Sequence, residues 1–370
     1  MGIVLLVFLA FIVAAIAGMV YLVSRFRKFL TSGRSKEYWL KRKKLSRLVA
    51  AIPVFILLIL CLFDMVNTVI VIVNTVVIWL ACDGITALIV KLFGKKQGFY
   101  LTGVCAIILS AVYLGIGWYN AHNVVETDYK IVADKDTGMD NFRIVQISDS
   151  HIGATFDGDG FAEYMDEIQK KDPDIVVVTG DYVDDDTCRE DMEKSSAALG
   201  RLKTTYGVYY VYGNHDRGYM NRRDFSEDDM RAELTKNNVK ILQDEAVDIG
   251  DNIVLVGRED KSKRERKDMN TLFADVDKSK YIILLDHQPG DFDAEEAAGA
   301  DLVLCGHTHG GQMFPVGLTG EWSGANEKTY GLEKRGNTTF IVNSGISDWA
   351  IKFKTGGAKA EYGVIDVVKE

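Results

Sequence analysis

Residues 142–151 read FRIVQISDSH, an apolar run that ends in a cluster of polar side chains. A short run rich in valine and isoleucine predicts a buried β-strand, here over 142–147. Asp149 and His151 follow this strand, two positions apart. Residues i and i+2 of an extended chain point to the same side, so we expect both side chains to reach one metal ion.

The same arrangement, an apolar run followed by polar side chains, occurs four more times. In the second of the five clusters, Gly180 permits a tight exit from the strand, so that the Asp181 carboxylate can bridge two cations. Five of the six histidines lie in these clusters, which chance would rarely produce. Nitrogen and oxygen ligands without thiolate favour manganese, iron or zinc and disfavour calcium. The further clusters are GDYVD at 180–184, GNHD at 213–216, DHQP at 286–289 and GHTHGGQ at 306–312.

Apolar runs and amphipathic helical patterns alternate through the last 250 residues. This alternation predicts an α/β domain with buried sheets, in which chemistry collects at the carboxyl ends of the strands. Strands are predicted over 142–147, 175–179, 208–212, 253–256, 281–285, 302–305 and 340–342. Helices are predicted over 161–171, 189–203, 227–236, 265–274 and 292–298.

The first 120 residues have a different composition, with thirteen basic residues, only three acidic ones and long apolar stretches. A stretch of about 20 apolar residues can span a bilayer, so we expect a transmembrane anchor of about four spans over residues 1–120. A turn at 64–67 is expected to divide the longest stretch, with Asn74 as the alternative turn. The predicted spans are 3–23, 48–64, 67–93 and 99–119.

Two basic segments, 24–47 and 91–96, flank these apolar stretches. The positive-inside rule places both on the cytoplasmic side, and four spans then put the catalytic domain outside the cytoplasm. If 48–93 crossed only once, the domain would face the cytoplasm. The first stretch lacks a basic n-region and a cleavage site, so it is interpreted as a retained span. Asp83 is interpreted as a packed or interface-facing acid, with a functional polar site as the alternative.

Several function classes are disfavoured by the sequence. The whole chain has a net charge of −9, so the part after residue 120 is strongly acidic and nucleic-acid binding is not expected. There is no phosphate-cradling GxxxxGK loop and no serine nucleophile elbow. Cys188 and Cys305 are not part of a CxxC pattern, and we expect no disulfide between them.

The order DxH, GDxxD, GNHD, a later histidine and GHTH is similar to that of the calcineurin-like metallophosphoesterase family, over about 142–346. GHTHGGQ and the anchor resemble the bacterial membrane-associated branch, which includes phosphodiesterases and hydrolases of UDP-diacylglucosamine. The resemblance implies a two-layer β-sandwich flanked by helices at 124–370. It also implies hydrolysis of a phosphate ester by a hydroxide bridging two divalent or trivalent metal ions, about 3.5–4 Å apart.

The family's site residues carry over to this sequence as two sets of ligands that share Asp181. His215, oriented by Asp216, would face the phosphate and assist the leaving oxygen, and Asp184 would orient ligands. The segment 346–361 departs from the family pattern, so the resemblance does not identify the substrate. One metal would be held by Asp149, His151, Asp181 and His309, and the other by Asp181, Asn214, His287 and His307.

Phosphomonoesterase, phosphodiesterase and pyrophosphatase activities all remain open, on a lipid-linked or extracellular phosphate or on soluble nucleotides. One alternative is a membrane transport or sensing protein with a regulatory metal-binding domain, for which Asp83 is the only indication. Another is a catalytically idle metal-binding receptor. That alternative predicts the loss of a ligand or of His215, whereas all of these residues are present.

Overall fold

The computed structural model describes residues 2–94, 100–218 and 222–369, with only the backbone for residues 2–12. The chain divides into two compact units, Met1–Ile116 and Gly117–Glu370. The first unit is helical in its described residues, and the second combines helices and strands.

Five helices run from the N-terminus to the start of the second unit. The turn between the third and fourth helices lies slightly before the predicted 64–67, because Asp64 caps the fourth helix by accepting a hydrogen bond from the Asn67 amide at 3.1 Å. The alternative turn at Asn74 is wrong, since Asn74 lies inside that helix. The helices are α1 Gly2–Leu30, α2 Lys36–Lys41, α3 Lys43–Leu60, α4 Met65–Phe93 and α5 Leu101–His122.

Two of the described helices, α4 and α5, are long and apolar enough to cross a membrane. The four predicted spans are therefore not confirmed. Helix α3 is short and begins with Lys43 and Lys44. Residues 3–12 of the span predicted at 3–23 have side chains outside the described set, and residues 95–99 before α5 lie outside the described residues altogether.

Asp83 in α4 has several polar partners in the first unit. Its carboxylate accepts a hydrogen bond from the Tyr21 hydroxyl at 2.6 Å and lies 2.9 Å from the Arg25 guanidinium. The Tyr100 hydroxyl lies 3.4 Å from the other carboxylate oxygen and itself accepts a hydrogen bond from Trp79 at 2.9 Å. This network ties α1 to α4, so Asp83 is a packed acid whose charge the protein itself compensates.

The second unit contains two six-stranded mixed sheets in its described residues. Their strand orders are β1-β12-β2-β3-β4-β5 and β10-β11-β9-β8-β7-β6, with the following bounds. The strands are β1 Val125–Ala133, β2 Asn141–Ile147, β3 Ile175–Thr179, β4 Gly207–Val211, β5 Val239–Ile241, β6 Glu245–Ile249, β7 Ile253–Gly257, β8 Tyr281–Leu285, β9 Leu302–Cys305, β10 Gly331–Arg335, β11 Thr338–Val342 and β12 Glu361–Lys369.

The two sheets pack face to face around one apolar core, to which Ile144 and Val211 contribute from the first sheet and Ile283 and Leu304 from the second. Three helices cover the outer face of the first sheet, and shorter helices cover the second. This arrangement confirms the predicted α/β fold with mixed sheets. The helices are α6 Gly158–Gln169, α7 Arg189–Gly200, α8 Glu227–Lys236, α9 Met269–Leu272, α10 Phe292–Ala298 and α11 Thr319–Ser323.

The helix predicted over 265–274 is wrong in length, since only the four residues of α9 are helical. The residues before α9 make contacts that a continuous helix would not allow. The Arg266 guanidinium lies 2.5 Å from the Asp286 carboxylate, and the Lys267 amide donates to Asp244 at 2.7 Å. The chain therefore runs as a loop up to Asp268, which caps α9.

Strand direction decides where the polar clusters meet. In the first sheet β2, β3 and β4 are parallel neighbours, and in the second β8 and β9 are parallel neighbours. Parallel neighbours end at the same edge of a sheet, where α/β proteins place their ligands. All five polar clusters predicted from the sequence follow these five strands.

Candidate metal centre

The structure brings the predicted metal ligands together in three groups, two of which share His151, and the ligand atoms within each group lie within 4.8 Å of one another. The Asn214 side chain joins them through Oδ1, 3.2 Å from His287 Nε2. Residues from both sheets contribute, so the site depends on the face-to-face packing. The groups are Asp149 with His151 and His309, His151 with Asp184 and His215, and Asp181 with His287 and His307.

In the first group, two imidazole nitrogens face each other, with His151 Nε2 and His309 Nε2 only 3.2 Å apart. His309 Nδ1 lies 3.3 Å from the carbonyl oxygen of Ser347, and His151 Nδ1 lies 3.2 Å from a carboxylate oxygen of Asp184. Both oxygens are acceptors, so a proton on each Nδ1 would leave both Nε2 atoms free to bind a cation. Two lone pairs at this distance repel unless a cation lies between them.

The pKa of His309 argues for a metal cation over an added proton. Burial lowers this pKa well below its usual range, and the charge of His151 lowers it further. A carboxylate oxygen of Asp149 lies 3.6 Å from His309 Nε2 and completes the group. Neutral imidazoles with a buried carboxylate match the ligand preference of manganese, iron and zinc.

In the third group, which contains Asp181, His287 and His307, the imidazole of His287 lies between two oxygen atoms. Its Nδ1 lies 2.8 Å from the Thr179 carbonyl oxygen and its Nε2 lies 3.1 Å from Asp181 Oδ2. Burial lowers the pKa of His287, but the charge of Asp181 outweighs it and raises this pKa well above its ordinary value, so a metal ion would take the place of the proton on Nε2. His307 Nδ1 is buried and has no hydrogen-bond partner among the described residues. Burial lowers the pKa of His307 to about 4, with a further contribution from the charge of His287. His307 is therefore neutral at pH 7 and able to act as a ligand.

Asp181 belongs to the third group and also approaches His151 of the first group. Its Oδ2 is 3.1 Å from His287 Nε2 and 3.8 Å from His151 Nε2, while Oδ1 accepts a hydrogen bond from the His215 amide at 2.7 Å. Burial raises the pKa of Asp181, but the charges of His287 and His151 outweigh it and hold the pKa well below its usual range. The carboxylate is thus ionised and positioned to serve both groups.

The backbone at the site is not extended. Asp149, His151, Asp181, His307 and His309 all have a positive φ, between 36° and 72°. Such conformations are uncommon for residues other than glycine and cluster at functional sites. The expectation that Asp149 and His151 converge because the chain is extended is therefore wrong. Their side chains converge because the backbone turns sharply at each of them.

Two glycines allow other segments to approach these ligands closely. A Cβ on Gly213 would lie 2.2 Å from Asp181 Oδ1, and a Cβ on Gly306 would lie 2.4 Å from Asp149 Oδ2. Both distances are far below van der Waals contact. The GNHD and GHTH motifs therefore begin with glycine because a side chain there would occupy the space of a proposed ligand.

His215 sits beside the first group and is held by Asp184. Its Nδ1 lies 3.1 Å from Asp184 Oδ1, and Asp184 thereby contacts both His151 and His215. Burial lowers the pKa of His215, but the hydrogen bond with Asp184 outweighs it and raises the pKa above its ordinary value. His215 therefore keeps a proton to a higher pH than an exposed histidine does.

Asp216 has a different position from the one expected. Its buried carboxylate accepts hydrogen bonds from four backbone amides at 2.6 to 3.1 Å and so fixes the turn that carries Asp181. The interpretation that Asp216 orients the His215 ring is corrected, because Asp184 has that role. The four amides belong to Asp181, Tyr182, Val183 and Gly213.

Other contacts at the site could not be found from the sequence. The Thr179 and Ser347 carbonyls fix the tautomers of two imidazoles, and any residue type could supply a carbonyl. Trp349 packs on His215 with ring centroids 5.0 Å apart. Lys354 is fully buried, donates to the Ser344 carbonyl and lies 3.6 Å from the Asp348 carboxylate.

Comparison with known proteins agrees with this geometry. A family model described as calcineurin-like phosphoesterase matches residues 142–311. An uncharacterized metallophosphoesterase of Campylobacter jejuni is 30% identical over 71% of this chain and 70% of its own length. One from Helicobacter pylori is 33% identical over 57% of this chain, and the match spans 56% of that protein.

A protein of Danio rerio described as a transmembrane protein with a metallophosphoesterase domain is also similar to this chain. It is 29% identical over 60% of this chain and 52% of its own length. The matches therefore span between about half and 70% of the length of these relatives.

Proposed function

Because the chain belongs to the calcineurin-like metallophosphoesterase family, whose members hydrolyse phosphate esters, we propose that the Gly117–Glu370 unit is a two-metal phosphoesterase. The supporting observation is the pair of ligand groups, one with Asp149, His151 and His309 and the other with Asp181, His287 and His307. Each group combines imidazole nitrogens with a buried carboxylate, which is the donor set expected for a transition metal.

We assign one cation to the group that contains Asp149 and the other to the group that contains His287, with Asp181 shared. When bound, such a metal pair polarises the phosphate and lowers the pKa of a water molecule. Manganese, iron and zinc all suit these ligands. The first set is Asp149, His151, Asp181 and His309, and the second is Asp181, Asn214, His287 and His307.

The remaining residues act on the substrate and on the shape of the site. His215, held through Nδ1 by Asp184, is assigned the role of giving a proton to the leaving oxygen. Asp216 fixes the backbone turn of Asp181, so that the shared carboxylate stays between the two groups. Trp349 packs against His215, with ring centroids 5.0 Å apart, and helps to hold the imidazole in place.

The hydrolase activity is tested on full-length protein with a panel of a phosphomonoester, a phosphodiester and a pyrophosphate, each with added manganese. We expect hydrolysis of at least one class, abolished by chelation and restored by manganese. The same panel without added metal, after chelation and dialysis, is the control. No hydrolysis of any class with the metals bound would contradict the proposed function.

We further propose that the apolar helices α4 and α5 anchor the protein in the cell membrane as part of a multi-pass anchor, with the catalytic unit outside the cytoplasm. Their length and composition support the anchor, and the basic segments 24–47 and 91–96 support the orientation. The substrate would then be a lipid-linked or extracytoplasmic phosphate ester.

The orientation is tested by protease treatment of intact cells or wall-stripped protoplasts that carry a tag after Glu370. An outward catalytic unit predicts cleavage of the tag while the membrane is sealed. A cytoplasmic protein carrying the same tag is the control for sealing. A tag that is cut only after lysis would refute the outward placement and make soluble intracellular phosphate esters the leading substrates.

A further inference from the structure

The segment 344–349, which follows β11 and is called here the contact segment, lies against two histidines of the metal centre. The Ser347 carbonyl oxygen lies 3.3 Å from His309 Nδ1. Trp349 packs on His215 with ring centroids 5.0 Å apart. Hydrogen-bond acceptors behind a metal-binding imidazole fix its tautomer and its orientation. A displacement of the contact segment would therefore disturb His309 as a ligand.

The contact segment is held from its other side by one ammonium group. Lys354 is fully buried, and its Nζ donates to the Ser344 carbonyl and lies 3.6 Å from a carboxylate oxygen of Asp348. The Asp348 carboxylate is buried as well, and neither of its oxygens has a hydrogen-bond partner among the described residues. The charge of Lys354 therefore compensates that of Asp348 and links two points of the contact segment.

Lys354 is in turn fixed by the last turns of α5, which belong to the Gly117–Glu370 unit. The Lys354 amide donates to the Gly117 carbonyl at 2.8 Å, and the Asn120 side chain donates to the Lys354 carbonyl at 3.3 Å. A Cβ on Gly117 would lie 2.6 Å from Thr355 Cγ2, so glycine allows the two segments to approach. The end of α5 thus sets where the Lys354 side chain begins.

The energetics of this ion pair argue for a role in geometry. Removing an ammonium and a carboxylate from water is costly, and apolar side chains of similar volume in place of a buried ion pair are often neutral or stabilising. An apolar side chain at Lys354 would fill the same space, but it could not bond the Ser344 carbonyl or pair with Asp348. What the ion pair adds is a defined position for the contact segment.

We propose that Lys354 is a positioning residue of the metal centre, which holds the contact segment against His309 and His215 and is itself held by the last turns of α5. The proposal rests on the proposed function, since His309 is a proposed ligand and His215 the proposed proton donor. Lys354 acts through the Ser347 carbonyl and Trp349.

The test measures manganese binding to full-length, metal-free protein in lipid nanodiscs, through the electron paramagnetic resonance signal of free manganese. Lys354→Met alone would leave the Asp348 charge buried and uncompensated, which destabilises the fold. The main variant is therefore Lys354→Met combined with Asp348→Leu, which removes both charges. We expect it to fold and to bind one of the two manganese ions about 10–100-fold more weakly, the usual effect of losing a contact behind a metal ligand.

A milder variant acts on the same segment from α5. Asn120→Ala removes one hydrogen bond to Lys354 and should weaken the same manganese ion by about two- to tenfold. Lys359→Met is the matched control, because Lys359 is an exposed lysine five residues further along the chain. Leu272→Ala is the control for stability, since it removes a buried core side chain of α9. Both controls should bind two manganese ions with wild-type affinity.

Unchanged affinity for both manganese ions in the double variant would overturn the proposal. An equal loss in Leu272→Ala would also overturn it, because the effect would then follow from stability alone. If the double variant does not fold, Asn120→Ala decides in its place, and unchanged affinities there would reject the role of Lys354.

Hydrolysis of bis(p-nitrophenyl) phosphate by the same preparations separates this proposal from the proposed function. Hydrolysis together with unchanged manganese affinities in the variants rejects only the positioning role. A wild-type protein that binds two manganese ions but hydrolyses no ester rejects the phosphoesterase activity, whereas a selective loss of one ion in the variants still supports the positioning role.

Discussion

Asp83 in α4 and Asp181 after β3 are both acids in apolar surroundings, yet their neighbours differ in kind. Asp83 accepts a hydrogen bond from the Tyr21 hydroxyl and forms an ion pair with the Arg25 guanidinium. Asp181 faces the Nε2 atoms of His287 and His151, at 3.1 and 3.8 Å, and imidazole nitrogens are metal ligands. Asp83 is therefore paired with a cationic side chain, whereas Asp181 lies among groups that could hold metal cations.

The neighbours of a buried acid therefore distinguish a structural polar cluster from a functional one better than the presence of the acid does. Asp83 was the only indication of transport or sensing, and its partners account for it as a tie between α1 and α4. The centre around Asp181 instead gathers imidazole nitrogens and buried carboxylates within 4.8 Å of one another in each group. We therefore expect substitutions at the Asp181 centre to change metal content or turnover, and a substitution at Asp83 to change neither.

The largest effect is expected from removing the shared carboxylate. Asp181→Ala should lose at least one cation and lower hydrolysis by at least about 10³-fold, as when an electrostatic stabiliser of the transition state is lost. Elemental analysis and turnover of a phosphodiester measure both effects. Asp186→Ala, an exposed acid in the same loop, is the control. If the variant keeps two cations per chain, the bridging assignment is wrong.

A slightly smaller effect is expected at His215, which acts on the substrate and not on the metals. His215→Ala should lower turnover by about 10²–10⁴-fold for esters with poor leaving groups, the usual contribution of a general acid. Esters with good leaving groups should lose less, and the metal content should not change. Equal losses for both kinds of ester would exclude the acid role but leave a role in binding phosphate.

Asp184→Asn tests how the position of His215 is maintained. Hydrogen bonds to groups at a metal site typically contribute about 10–100-fold in affinity or activity, so we expect a loss in that range. Asp184 raises the pKa of His215, and a general acid works only while protonated. The fall of activity toward high pH should therefore begin at a lower pH in the variant. An unchanged pH profile would show that Asp184 does not set the protonation of His215.

The smallest effect on catalysis is expected at Asp83, which is paired with Tyr21 and Arg25. Asp83→Asn weakens the tie between α1 and α4 and should lower the free energy of unfolding by about 1 kcal/mol, in the range measured for polar contacts between membrane helices. Tryptophan fluorescence can follow it, since Trp79 donates to Tyr100 in the same network. Metal content and turnover should stay within about twofold of wild type. A tenfold loss of turnover would reject the purely structural reading of Asp83.

The sequence predicted most of the buried strands, although it missed the largely buried β12, and it predicted the exposed strands poorly. Strands such as β3 and β8 are unbroken apolar runs, buried throughout, and their ends marked the polar clusters. Strand β10, with the sequence GLEKR, has no buried residue and resembles a charged loop in sequence, and β6 is largely exposed as well. Such strands are recognised by their backbone partners in the sheet. Strands β1, β5 and β12 were also missed.

At the site, residue types were predictable but their mutual arrangement was not. The clusters after each strand predicted which residues meet, whereas left-handed backbone at Asp149 or His309 leaves no mark in the sequence. Asp216 was chosen as the partner of His215 because it is adjacent in the chain. The true partner, Asp184, is 31 residues away and reaches His215 only through the packing of neighbouring strands.

The central claim, that two buried ligand groups sharing Asp181 hold two cations, is tested most directly by the metal content of the wild-type protein. Full-length protein is purified without chelator, dialysed and measured by elemental analysis beside its phosphodiester hydrolysis. We predict two transition-metal ions per chain and a loss of hydrolysis on chelation that manganese restores. Hydrolysis that persists with one or no metal ion per chain would contradict the account.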